Sequence, residues 1–266
     1  MKNFFLPLAV GLMAVSCVIN INGGSFVGIC TEEGIDYTDI REVATFNAIS
    51  SNLPCNVYYS QADRQEVRVE STREFADKVI TTVEDGTLKL KLENGRYPKL
   101  ILRVVISSPG IEGLSVSGSG NLYQEGTLHA SKDLNLRVSG SGDIFAGDLD
   151  SQDFEAHVSG SGSINAESIA GDDFEISTSG SGHIDIKALT AKDNASVRVS
   201  GSGSIRLHEV AVDGDMNLKA SGSGGILVNG RCHEVTATIS GSGSIKGDLA
   251  YTGIHSSTSG SGHVNL

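Results

Sequence analysis

Leu134-Asn135-Leu136-Arg137-Val138-Ser139-Gly140-Ser141-Gly142-Asp143-Ile144 contains the pattern that decides the fold. Apolar residues alternate with polar ones up to Val138, and a period of two means a strand with one buried face. The Ser-Gly-Ser-Gly tetrad that follows recurs eight times, beginning at Ser117, Ser139, Ser159, Ser179, Ser200, Ser221, Ser240 and Ser259. The intervals are 22, 20, 20, 21, 21, 19 and 19 residues. A period near twenty that wanders by one or two is what stacked coils with tolerant loops produce. A flexible Gly/Ser linker has no reason to keep it.

Five residues after the first serine each copy places an aliphatic: Leu122, Ile144, Ile164, Ile184, Ile205, Ile226, Ile245 or Val264. Alternation before the tetrad recurs in Phe154-Glu155-Ala156-His157-Val158 and Met216-Asn217-Leu218-Lys219-Ala220. A strand, a Gly-rich bend, a second strand and a turn fill about twenty residues, one turn of a β-helix. The expectation is an all-β solenoid of about eight such coils. Parity turns the tetrad's glycines inward and its serines outward. The chain has 33 Gly, 4 Pro, no Trp and 5% aromatic residues, so repetition must supply the core that bulky anchors do not.

Residues 43–116 lack the tetrad but are also strand-like. Glu66-Val67-Arg68-Val69-Glu70 alternates, and Asp85-Gly86 between Val79–Val83 and Leu88–Leu92 predicts a hairpin with a type I′ turn. Ile101–Ile106 reads as a buried strand ahead of Pro109-Gly110. This stretch is expected to be a non-repeating β cap on the open end that a solenoid must protect.

The first sixteen residues read as an export leader, with Lys2 ahead of an apolar run too short to remain as a membrane span. Ala14-Val15-Ser16-Cys17 resembles the lipobox of bacterial lipoproteins, which would make Cys17 the acylated N-terminus and confine membrane contact to a lipid anchor. The expected location is the cell envelope, as an outer-membrane lipoprotein of a Gram-negative bacterium. Residues 17–42 read as a tether. Cys30, Cys55 and Cys232 are too widely spaced for a zinc site or redox pair, although a Cys30–Cys55 bridge is open in an oxidising compartment.

Net charge is −12, and 19 minus 32, or −13, once Lys2 leaves with the leader. Phosphate binding needs clustered Lys and Arg, so nucleic acid is excluded as a partner. The tetrad is not a phosphate loop, because no copy is followed by Gly-Lys-Ser/Thr or opens a helix. Nor does a Gly-x-Ser-x-Gly elbow stand between strand and helix.

Gly162-Ser163-Ile164-Asn165, with its Gly-x-Ile and Gly-x-Val variants, the Phe46-Asn47-Ala48-Ile49 opening and the Gly86-Thr87-Leu88 segment resemble the head GIN domain of putative auto-transporter adhesins over residues 43–266. The resemblance implies a β-helical fold and an exported, adhesin-like protein. It brings no catalytic residues to carry over, and a lipoprotein leader without a translocator barrel does not fit literal autotransport.

Six residues before the tetrad the coils place Asp133, Asp153, Asp173, Asn194, Asp215 and Glu234. Stacked, these form an acidic ladder that either invites Ca²⁺ or caps turns through backbone N–H groups. The serine columns offer rows of hydroxyls suited to sugars or a polar partner. Specificity must come from what varies between coils, chiefly Asn121, Asp143, His183, Arg206 and His263. The expected role is a non-enzymatic surface presented to glycan or to envelope or host protein. The alternative is a polysaccharide-cleaving β-helix enzyme using Asp143, Asp172, Asp173 and Asp185.

Overall fold

The structure, a computed structural model, describes residues 15–16 and 26–266. The leader residues 1–14 and Cys17 lie outside the described residues. Every coil contributes one strand to each of two long sheets. Leu134–Val138, Phe154–Val158, Phe174–Thr178 and Ala195–Gly201 follow one another in parallel in an 11-stranded sheet. Ile144–Asp150, Ser163–Gly171, His183–Ala191 and Ser204–Val212 do the same in a 15-stranded sheet. The tetrad is the corner between them, and eight tetrads enclose seven full turns. The solenoid expectation is borne out.

Register places the aliphatics after the tetrads in one inward ladder, Leu122 to Ile144, Ile164, Ile184, Ile205, Ile226, Ile245 and Val264. From Leu122 to Ile245 none is more than 2% exposed. Burying one such side chain is worth about 1.5–3 kcal/mol. In the longer strands the inward phase slips: Ile164 and Ala166 point in, then Ile169 and Gly171. That three-residue step bends the strand and closes the coil. Gly171 is small because the preceding coil's backbone presses on it: a Cβ there would sit 2.8 Å from the Gln152 carbonyl oxygen and 2.9 Å from that of Ser151.

Residues 43–116 divide in two. Ala48–Ser51 and Val57–Gln61 already form a coil, pairing in parallel with Gly113–Val116 and Leu122–His129, so stacking begins before the first tetrad. Behind it lie the strand Arg96–Ser108 and the expected hairpin, Val79–Glu84 against Thr87–Leu92. Asp85 at φ 51° and Gly86 at φ 73° occupy the two positive-φ positions that a type I′ turn requires.

The tether reading of residues 17–42 is corrected over its described part. Phe26–Thr31 pairs in parallel with residues 96–101, and Tyr37–Ile40 pairs antiparallel with residues 68–71. The disulfide Cys30–Cys55, with Cα atoms 5.6 Å apart, fixes this segment to the first coil. Burial of Cys30 and pairing to distant strands outweigh the segment's lack of a clear alternation.

Candidate functional site

Each corner is backbone stacked on backbone. The Gly140 carbonyl accepts the N–H groups of Ser161 and Gly162 at 3.1 and 3.2 Å, and the Gly160 carbonyl accepts those of Ser181 and Gly182 at 3.2 and 3.1 Å. A Cβ on Gly162 would lie 2.0 Å from the Gly142 oxygen, so only glycine lets the coils close to this distance. The second glycine of each tetrad from Gly120 to Gly243 is buried, and serines such as Ser139, Ser141, Ser161 and Ser181 are exposed. The serine columns therefore face solvent.

Beyond the corner the long sheet presents two neighbouring outward ladders. The first runs through Asn121, Asp143, Ser163, His183, Ser204, Gly225, Ser244 and His263. Asn121 Oδ1 accepts the Asp143 N–H at 3.1 Å, Asp143 Oδ1 accepts the Ser163 N–H at 2.7 Å, and His183 Nδ1 meets Ser204 Oγ at 2.9 Å. The second ladder runs Tyr58, Tyr123, Phe145, Asn165, Asp185 and Arg206. All five residues singled out for specificity thus fall on one face, although His263 stands at the far end.

Sequence reasoning missed how the second ladder begins. Tyr58, Tyr123 and Phe145 stack with centroids 5.1 Å apart at both steps and rings within 15° of parallel. Tyr123 and Phe145 each stand six residues after the first serine of a tetrad, a coincidence that counting would have exposed. Tyr58 O–H donates to Glu32 at 2.7 Å, and burial first, then this carboxylate, hold its pKa far above the ordinary phenol value. Arg103 binds Glu32 and Glu70, tying the N-terminal strands beside the stack.

The acidic ladder sits at the turn into the short sheet, and its oxygens hold backbone. Asp153 Oδ1 accepts the Asp173 N–H at 3.4 Å, Asp173 Oδ1 that of Asn194 at 3.0 Å, Asn194 Oδ1 that of Asp215 at 3.1 Å, and Asp215 Oδ1 that of Glu234 at 3.2 Å. The capped N–H belongs to the next coil and not to the same turn. Asp133, Asp153, Asp173 and Asp215 line an open groove of ≈ 760 Å³ with Glu155 and Glu175. Among the described residues no three His, Cys, Asp or Glu side chains converge as a metal shell requires.

The four carboxylates of the enzyme alternative are split between two regions. Asp143 and Asp185 lie on the long sheet, and Asp172 and Asp173 at the turn. Asp172 binds Lys192 at 2.7 Å, and Asp185 meets His208 at 3.0 Å. Cys232 is free and buried, and desolvation pushes its thiol pKa up.

A family model described as putative auto-transporter adhesin, head GIN domain, matches residues 45–213 and again 175–266. No curated protein matches the chain. Among solved structures, a putative adhesin from Parabacteroides distasonis superposes with a TM-score of 0.78 at 21% identity, covering 88% of this chain and 98% of that one. A putative adhesin from Parabacteroides merdae gives 0.77 at 20%, covering 89% and 98%. A putative lipid binding protein from P. distasonis gives 0.71 at 24%, covering 88% and 97%. At these identities the likeness shows a shared fold.

Proposed function

The chain belongs to the putative auto-transporter adhesin, head GIN domain family, and on that premise we propose that it is an exported cell-envelope protein that binds an extended glycan or protein along its outer faces. One observation carries this reading. The inward ladder repeats a single chemistry from Leu122 to Ile245, whereas the outward ladders beside it change chemistry along the stack, from aromatic to amide, carboxylate and guanidinium in the second. A scaffold alone needs only the first. Variation in polar chemistry on the solvent side, with amide, carboxylate, imidazole and guanidinium groups in fixed register, suits recognition.

The leader and Cys17 support tethering through a lipid anchor at the N-terminal end. A lipid-binding role like that given to one structural relative finds less support here. The interior rows are filled by their own side chains, leaving an acyl chain the outer faces of the described coils. The test is a screen of the purified full chain against immobilised glycans and matrix proteins, with and without Ca²⁺, alongside an assay for polysaccharide cleavage. Saturable binding without turnover is expected. Turnover would favour the enzyme alternative, and silence in every arm would leave a purely structural role.

A further inference from the structure

The aromatic stack ends abruptly. Tyr58, Tyr123 and Phe145 cover one another's faces, but the rung after Phe145 is Asn165, followed by Asp185 and Arg206. An asparagine side chain is shorter than a phenylalanine ring is long, so the outer part of the second Phe145 face has no ring over it. Phe145 is only partly buried, and the solenoid steps down there from an aromatic column to a polar shelf.

The shelf is chemically unlike the rest of the surface. Asn165 makes no hydrogen bond among the described residues through its amide, which leaves two donors and an acceptor unspent. Asp185 holds His208 through one oxygen, and Arg206 is 49% exposed with a guanidinium nitrogen 4.0 Å from Asp185. An open ring face bounded by amide, carboxylate and guanidinium groups matches a pyranose: its C–H face lies on an aromatic ring, and its hydroxyls both donate and accept.

We propose that the step formed by Phe145, Asn165, Asp185 and Arg206 is a binding site for a short neutral hexopyranose segment of a glycan chain, one ring of which lies on Phe145. Neutrality follows from the carboxylates of Asp143 and Asp185, which outnumber the Arg206 guanidinium along the step, and from the net charge of the protein; together they disfavour an acidic sugar. The Asn121 ladder continues in register on one side, so a longer chain finds further amide and hydroxyl groups there. The inference rests on the binding function proposed above and names its ligand class and its place.

The test uses the full chain on an array of neutral and acidic oligosaccharides, then titration of the best array ligand against wild type, Phe145→Leu, Asn165→Ala and Thr236→Ala, the last an exposed position on the 11-stranded sheet. Asn165 faces outward without a partner, so its variant keeps the test alive should Phe145→Leu fold poorly. Wild type is expected to prefer neutral glycans. Phe145→Leu and Asn165→Ala should each weaken binding about tenfold with Tm preserved for Asn165→Ala, and Thr236→Ala should bind as wild type. Glycan binding unchanged in both step variants would overturn the site and leave the wider function standing. Preference for acidic glycans would overturn the ligand class. Binding to matrix protein but no glycan would also sink this inference alone, whereas no binding of either kind would remove the function beneath it.

Discussion

Gly162 sits so close to Gly142 of the preceding coil that a Cβ on it would stand 2.0 Å from the Gly142 carbonyl oxygen. Backbone cannot yield by that distance without breaking the paired hydrogen bonds at the corner. Gly162→Ala is therefore expected to cost about 2–3 kcal/mol and to lower Tm by several degrees. The neighbouring Ser161→Ala, on the solvent side of the same tetrad, should stay within about 0.5 kcal/mol of wild type. Thermal and denaturant melts of the pair check this.

The Cys30–Cys55 disulfide closes a loop with a sequence separation of 25 and fixes the strand Phe26–Thr31 to the first coil. In the chain-entropy account a loop of this size contributes about 3 kcal/mol. Reduction, or Cys55→Ser, should lower Tm and open residues 31–54 to limited proteolysis before the tetrad coils are cut. Simultaneous cleavage of both regions would show that the staple is not local.

Alkali should reveal the buried thiol. Desolvation raises the pKa of Cys232 in the folded state, so the folded protein holds its proton where the unfolded chain has lost it. That contribution is complete below the unfolded thiol pKa, about 8.5, and fades as pH rises through the higher folded value. Tyr58, raised by burial and by Glu32, adds a second loss from about pH 10 upward. Stability measured from pH 7 to 11 should fall in two stages, and Cys232→Ala should abolish the first.

Asp173 accepts the Asn194 N–H, and Asn194 in turn accepts that of Asp215. The ladder therefore works with amide as well as carboxylate. Asp173→Asn keeps the acceptor and removes a like charge, so stability should hold or rise slightly. Asp173→Ala loses the acceptor at a cost of about 1 kcal/mol. Calorimetry on the two variants separates a capping role from a charge role, and millimolar Ca²⁺ should leave Tm unchanged if capping is the whole of it.

The repeat was legible because its signal is summed over coils. One strand such as Phe154–Val158 is ambiguous alone, but eight aliphatics at the same offset from eight tetrads fix register, inward face and corner together. The N-terminal strands lack that redundancy. Phe26–Thr31 finds its partner some seventy residues away in Arg96–Ser108, and nothing in its own pattern announces that pairing. Asp173 reads in the sequence as either a cation ligand or a cap on its own turn, yet the N–H it holds lies one coil on, which only stacking reveals. The aromatic column was concealed differently. Tyr58 precedes the first tetrad, so alignment on the tetrad leaves out the residue that starts the stack.

The central claim is that the tetrad sets geometry while the changing outward residues recognise the ligand. Affinity for the best ligand of the binding screen should be compared between Ser161→Ala/Ser181→Ala and Asp143→Ala/His183→Ala/Arg206→Ala, with folding of each verified by its melt. The account predicts wild-type affinity for the serine pair and a loss of at least about tenfold for the ladder triple. Binding lost with the serines and kept by the ladder triple would contradict it.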